Sequence, residues 1–174
     1  MTKKIVLDLD GVVCDIVGGL NKELEKIGKP DFDYSSWLLT GIDDSVSIDI
    51  FNNNLFWKNL KPFEDAWHQI NYWFNSGVDV HIVTSRRTDA SFSNTTSWLD
   101  MWKINTMTPQ FSQINKKHEI IFTINPSFVV EDNPLEVEIL IEKGINCYLR
   151  RAWYNKEYWD VLPTIGNLYE IRDF

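Results

Sequence analysis

The segment Lys4-Ile5-Val6-Leu7-Asp8-Leu9-Asp10-Gly11-Val12 ends an apolar, β-branched run in two carboxylates two positions apart, followed at once by a glycine. Strand residues two apart point to the same side, so Asp8 and Asp10 converge on one site where the strand breaks up. Gly11 lets the chain turn sharply there. Carboxylates held that close repel one another, and a shared proton or a divalent cation relieves the repulsion. This is the arrangement of a phosphoryl-transfer nucleophile.

Other strand ends supply the remaining parts. Val80-His81-Ile82-Val83 runs into Thr84-Ser85, whose hydroxyls and backbone amides suit phosphoryl oxygens. Ser127 to Val130 runs into Glu131-Asp132, and Lys116 and Lys117 at a helix start can neutralise a transferring phosphoryl group. His68, His81 and His118 have no mutual spacing for a metal site and read as structural.

The elements that must position these residues alternate between short apolar and amphipathic segments, the signature of a parallel sheet flanked by helices. Strands are expected at Ile5 to Leu9, Val78 to Thr84, Pro109 to Ser112, Ser127 to Val130 and Ile145 to Leu149. One helix runs from Asn133 as N-cap, through Pro134 at its first position, to Lys143 before Gly144. A second turns Ala66, Ile70, Trp73 and Phe74 inward and stops at Gly77. A third starts at an Asp15 N-cap, carries Ile16, Val17, Leu20, Leu24 and Ile27 on one stripe and closes at Gly28. A fourth buries Phe92, Leu99 and Trp102.

Asp10 and Val78 lie about 70 residues apart, against about 30 for an ordinary strand-helix-strand unit. The excess is read as a small, mainly helical cap over residues 15–60 inserted after the first strand. The core domain then comprises residues 1–14 and 61–174, a Rossmann-like α/β fold. The insertion is rich in aromatics, Phe32, Tyr34, Trp37, Phe51, Phe56 and Trp57, and leaves from the edge where open α/β sheets bind ligands.

Bulk properties bound the function. The 174 residues, 44% hydrophobic, can bury one core, and a net charge of −8 argues against an extended nucleic-acid interface, which needs clustered Lys and Arg. Cys14 and Cys147 form no CxxC pattern, no charged-then-apolar leader precedes Ile5, and no run approaches a membrane span, so a reduced, cytoplasmic protein is expected.

With these residues placed, the chain resembles the haloacid dehalogenase superfamily of phosphohydrolases. DLDGV at Asp8, VTS at Thr84, a lysine at Lys117 in preference to Lys116, and VED at Asp132 stand in the family's order between Ile5 and about Arg150. The resemblance implies that Asp8 attacks phosphorus to form an aspartyl-phosphate, and that Asp10 protonates the leaving oxygen and later deprotonates water. Thr84 and Lys117 would serve the phosphoryl group. The implied Mg²⁺ is held by Asp8, the Asp10 carbonyl and Asp132, with Glu131 among or just outside the ligands. Asp10, where pump members carry threonine, favours a phosphatase or mutase.

Within the superfamily the chain is most similar to the 5'(3')-deoxyribonucleotidase-like proteins. Asp15 after DLDGV, Phe56-Trp57-Lys58-Asn59-Leu60-Lys61-Pro62, and Arg151-Ala152-Trp153-Tyr154-Asn155 carry that likeness. It implies a small phosphorylated substrate, a nucleoside monophosphate, with Phe56, Trp57 or Trp37 stacking the base and Ser85 and Arg86 beside the phosphate. Arg86-Arg87 departs from the pattern, and each arginine either grips phosphate or faces water. Sugar phosphates and polynucleotide ends remain alternative substrates, and a non-catalytic phosphate-sensing module of the response-regulator kind is the alternative class. Motif order separates that class: its acidic pair lies on the first strand and its phosphoacceptor on a later one, the reverse of this chain.

Overall fold

The computed structural model describes residues 2–29, 44–86 and 91–171. Phe32, Tyr34, Trp37 and Arg87 lie outside these, as does the side chain of Phe92. Six strands, β1 Lys4–Leu7, β2 Asp79–Thr84, β3 Gln110–Phe111, β4 Phe128–Glu131, β5 Cys147–Arg150 and β6 Thr164–Ile165, form one sheet in the order β3-β2-β1-β4-β5-β6. Every pairing is parallel, with Ile5 opposite both Val80 and Phe128 at the centre. The expected Rossmann-like α/β architecture is therefore present, and β6 is a strand the apolar pattern is too short to announce.

The helices are α1 Ile16–Lys26, α2 Asp44–Asn52, α3 Asn54–Asn59, α4 Glu64–Asn75, α5 Ser91–Trp102, α6 Lys117–Ile124 and α7 Pro134–Glu142. Successive residues of β1 point to opposite faces, and accordingly Ile5 and Leu7 join one buried cluster with Leu20, Phe56, Ile70 and Trp98, while Val6 joins another with Val129, Val137 and Leu140. α1 and α3 thus contribute side chains to the core on one face of the sheet.

Local chemistry sets the helix ends as expected. The Asp15 carboxylate accepts from the Gly18 N–H at 2.8 Å, and Asn133 caps α7 by accepting from the Leu135 N–H at 3.1 Å ahead of Pro134.

Three expectations are corrected. β1 leaves the ladder after Leu7 rather than Leu9, because the chain turns so that the Val13 and Cys14 N–H groups both donate to the Leu9 carbonyl. Ile27 is 54% exposed and Phe74 is 38% exposed, both lying at the C-terminal ends of their helices. Ile16 and Val17 are only half-buried because both line a cavity, Ile16 while also packing against the core.

Candidate active site

In the strand order found, the chain runs one way from β1 through β2 to β3 and the other way through β4 to β6. The crevice therefore opens beyond the carboxyl ends of β1 and β4. Asp8 follows β1 there, its N–H donating to the Val130 carbonyl at 2.9 Å, while β4 ends on Glu131 with Asp132 next. Asp8, Glu131 and Asp132 are all buried and bring carboxylate oxygens within 4.8 Å of one another.

Lys117 enters from the first turn of α6. Its ammonium lies 2.7 Å from Asp8 and 2.8 Å from Glu131, while Lys116 is exposed as the helix cap. Burial opposes its charge, but Asp8 and Glu131 outweigh burial and hold Lys117 protonated above the ordinary lysine range. For the carboxylates the balance runs the other way. Burial, then Glu131, raises Asp8 well above the usual carboxylate value despite Lys117. The same two causes push Asp132 up to about 7, against the pull of its Tyr154 hydrogen bond.

Three carboxylates against one ammonium leave a formal excess of two negative charges, which a hard divalent cation with oxygen ligands satisfies. The residues thus fit Mg²⁺. Glu131 contributes mainly as scaffold: Oε2 accepts from Lys117, and Oε1 accepts the Asp132 and Asn133 N–H groups at 3.2 Å each. Asp132 accepts the Tyr154 hydroxyl at Oδ2, which orients its carboxylate within the acidic group. Gly11 makes that approach possible: its φ is +85°, and a Cβ there would run into the Asp132 carboxylate and the Tyr154 hydroxyl.

Asp10 is taken up by Arg86 in a fork, Nε to Oδ2 at 2.8 Å and Nη2 to Oδ1 at 2.5 Å. Arg86 is therefore buried rather than facing water, and it lines the cavity beside Asp10. Thr84 is also buried, its hydroxyl accepting from the Arg86 N–H at 3.4 Å, and Ser85 is the neighbour that lines the crevice.

Above these groups is a cavity of about 370 Å³, with Asp8, Asp10, Lys117 and Asp132 on its floor and Ile16, Val17, Phe51, Trp57 and Ile114 among its walls. The aromatic expectations fare unevenly. Phe56 packs into the core, 3% exposed, and does not line this cavity. Trp57 does, but its ring is occupied: Phe51 stacks on it at 5.6 Å, Phe56 meets it edge-on, and the Arg86 guanidinium lies over it at 4.6 Å. Little of Trp57 is left to stack a base. Trp37 lies outside the described residues.

Sequence reasoning passed over Tyr154, Asn155 and Arg150 as site residues. Asn155 is fully buried and ties the Asp132 carbonyl at 2.9 Å to the Arg150 carbonyl at 3.0 Å. Arg150 reaches back to the Val12 carbonyl at 3.0 Å in the loop that carries Asp10 and Gly11. The only signal was the Arg151 to Asn155 passage, which was noticed for its likeness to relatives and given no role.

The fold is that of the haloacid dehalogenase-like hydrolases. A haloacid dehalogenase-like hydrolase from Streptococcus pneumoniae superposes with a TM-score of 0.62 at 14% identity, over 98% of this chain and 97% of that one. A haloacid dehalogenase-like hydrolase from Bacteroides fragilis gives 0.61 at 14% identity, over 99% and 100%. D,D-heptose 1,7-bisphosphate phosphatase from Burkholderia thailandensis gives 0.59 at 12% identity, over 96% and 94%. No protein-family model and no curated protein matches the sequence.

Proposed function

We propose that this chain is a Mg²⁺-dependent phosphomonoesterase acting through an aspartyl-phosphate on Asp8, with nucleoside monophosphates as its substrate class. The observation that carries the reading is the Asp8 carboxylate, buried at the crevice end of the central strand beside Lys117 and the Glu131-Asp132 pair, on the floor of a cavity of about 370 Å³. Asp8, Asp132 and the Asp10 carbonyl would hold the Mg²⁺, which when bound neutralises charge on the phosphoryl oxygens.

The chain's own residues supply the rest. Asp8 attacks phosphorus in line, exchanging the ester oxygen for an acyl-phosphate bond, while Lys117 offsets the charge between Asp8 and the phosphoryl group. Asp10 delivers a proton to the departing oxygen and removes one from the water that releases phosphate. Ser85 and the buried Thr84 shape the phosphoryl end, and the apolar wall from Ile16 to Trp57 excludes water and receives the leaving group. Residues 15–60 act as the cap that selects it.

Turnover of p-nitrophenyl phosphate with Mg²⁺ tests the class, and a panel of nucleoside monophosphates and sugar phosphates tests the substrate. Nucleotides are expected to be the better substrates; faster turnover of sugar phosphates would redirect the specificity and leave the chemistry intact.

A further inference from the structure

The Asp10 carboxylate is gripped by a residue that was expected to touch substrate. We propose that Arg86 is the positioning residue of Asp10, fixing the proton-transfer carboxylate for cleavage of alkyl phosphomonoesters, an inference that rests on the phosphatase reading above. The guanidinium makes the two-point contact that only arginine's planar fork allows, Nε to Oδ2 and Nη2 to Oδ1.

Two further contacts fix the guanidinium. Nη1 donates to the Thr95 hydroxyl at 3.2 Å on α5, and Nη2 also approaches the Cys14 sulfur at 3.7 Å in the loop after β1. Trp57, on α3 of the inserted segment, closes over the guanidinium at 4.6 Å. The Arg86 side chain is 3% exposed, whereas that of Asp10 is 19% exposed and reaches the cavity. Three elements therefore hold Arg86 so that it can hold Asp10, and both line the cavity, Asp10 with the more exposed side chain.

A carboxylate held this firmly matters most where the leaving oxygen cannot depart without a proton. Alkyl oxygens, such as the primary oxygen of a sugar, leave poorly as alkoxides, whereas p-nitrophenolate leaves readily unprotonated. The placement of Arg86 thus fits an sp³ carbon–oxygen–phosphorus ester. A phosphate-binding arginine, by contrast, would serve both kinds of ester equally.

The test compares kcat/KM for an alkyl phosphate and for p-nitrophenyl phosphate, with Mg²⁺, in the native chain, Arg86→Met, Arg86→Lys, Asp10→Asn and Asp10→Asn/Arg86→Met. Arg86→Lys keeps the charge without the fork and carries the comparison if Arg86→Met does not fold. Both Arg86 variants are expected to lose about 100-fold on the alkyl ester and at least about tenfold less on the aryl ester. In the Asp10→Asn background, Arg86→Met should cost nothing further, because its partner is already gone. Equal losses on both esters, or a further loss added to Asp10→Asn, would show that Arg86 acts on the phosphoryl group directly and overturn the proposal alone. No turnover of either ester by the native chain would overturn the phosphatase reading and this proposal with it.

Discussion

Asp132 is held on one side by the Tyr154 hydroxyl and through its backbone carbonyl by Asn155, with its carboxylate close to those of Asp8 and Glu131. Groups that orient a metal ligand are worth roughly 10- to 100-fold in metal affinity. Tyr154→Phe is therefore expected to raise the Mg²⁺ concentration needed for half-maximal activity by roughly that factor, with kcat near native once Mg²⁺ saturates; an unchanged Mg²⁺ dependence would remove Tyr154 from the site. The convergence of Asp8, Asp10, Lys117 and Asp132 on one cavity was legible from their order along the chain and their places at strand ends and a helix start. The Tyr154–Asp132 and Arg86–Asp10 contacts were not, since the partners lie 22 and 76 residues apart in sequence and meet only once the sheet has formed. The aromatic residues misled for a related reason. A Trp or Phe near a site looks the same in sequence whether its face is free or, as for Trp57, already covered by Phe51 and Arg86.

Between elements, one ion pair with a buried arginine fastens the loop that bears Asp10. Arg150, at the end of β5, binds Asp65 on α4 through two contacts of 2.8 Å while also reaching the Val12 carbonyl, and Asp65 additionally accepts the Leu168 N–H at 2.7 Å. Removing one partner of a buried pair leaves an uncompensated charge, at a cost of about 3–5 kcal/mol. Asp65→Ala should lower the urea unfolding free energy by that amount; a change within about 0.5 kcal/mol, typical of a surface substitution, would contradict this account of the clamp. The strands and caps that lead to this level were readable from period and punctuation, as with Asn133-Pro134 and Asp15. Strand β6 was not, because two residues held by β5 carry no periodicity of their own. The inward reading of Phe74 and Ile27 failed because an apolar stripe marks a face but not how far along the helix that face stays buried.

For the molecule as a whole, burying Asp8, Glu131 and Asp132 together links stability to pH and metal. Asp132 titrates near 7 when folded against an ordinary value of 3.8, so between these the folded chain binds more protons than the unfolded one, and stability falls as pH rises. Without metal, Tm is expected to drop between pH 5 and pH 8. The proposed Mg²⁺ would bind the deprotonated carboxylates and so should raise Tm more at pH 8 than at pH 5. A metal-free Tm that rises across this range would contradict the assignment. Activity should vanish with EDTA and return with Mg²⁺. The central claim is that Asp8 carries the phosphoryl group, and rapid acid quench during turnover followed by mass spectrometry of the peptides tests it directly. A phosphoryl group on the peptide containing Asp8, absent in Asp8→Asn, is the result predicted; turnover that continues in Asp8→Asn, or proceeds in the native chain with no phosphorylated Asp8, would contradict it.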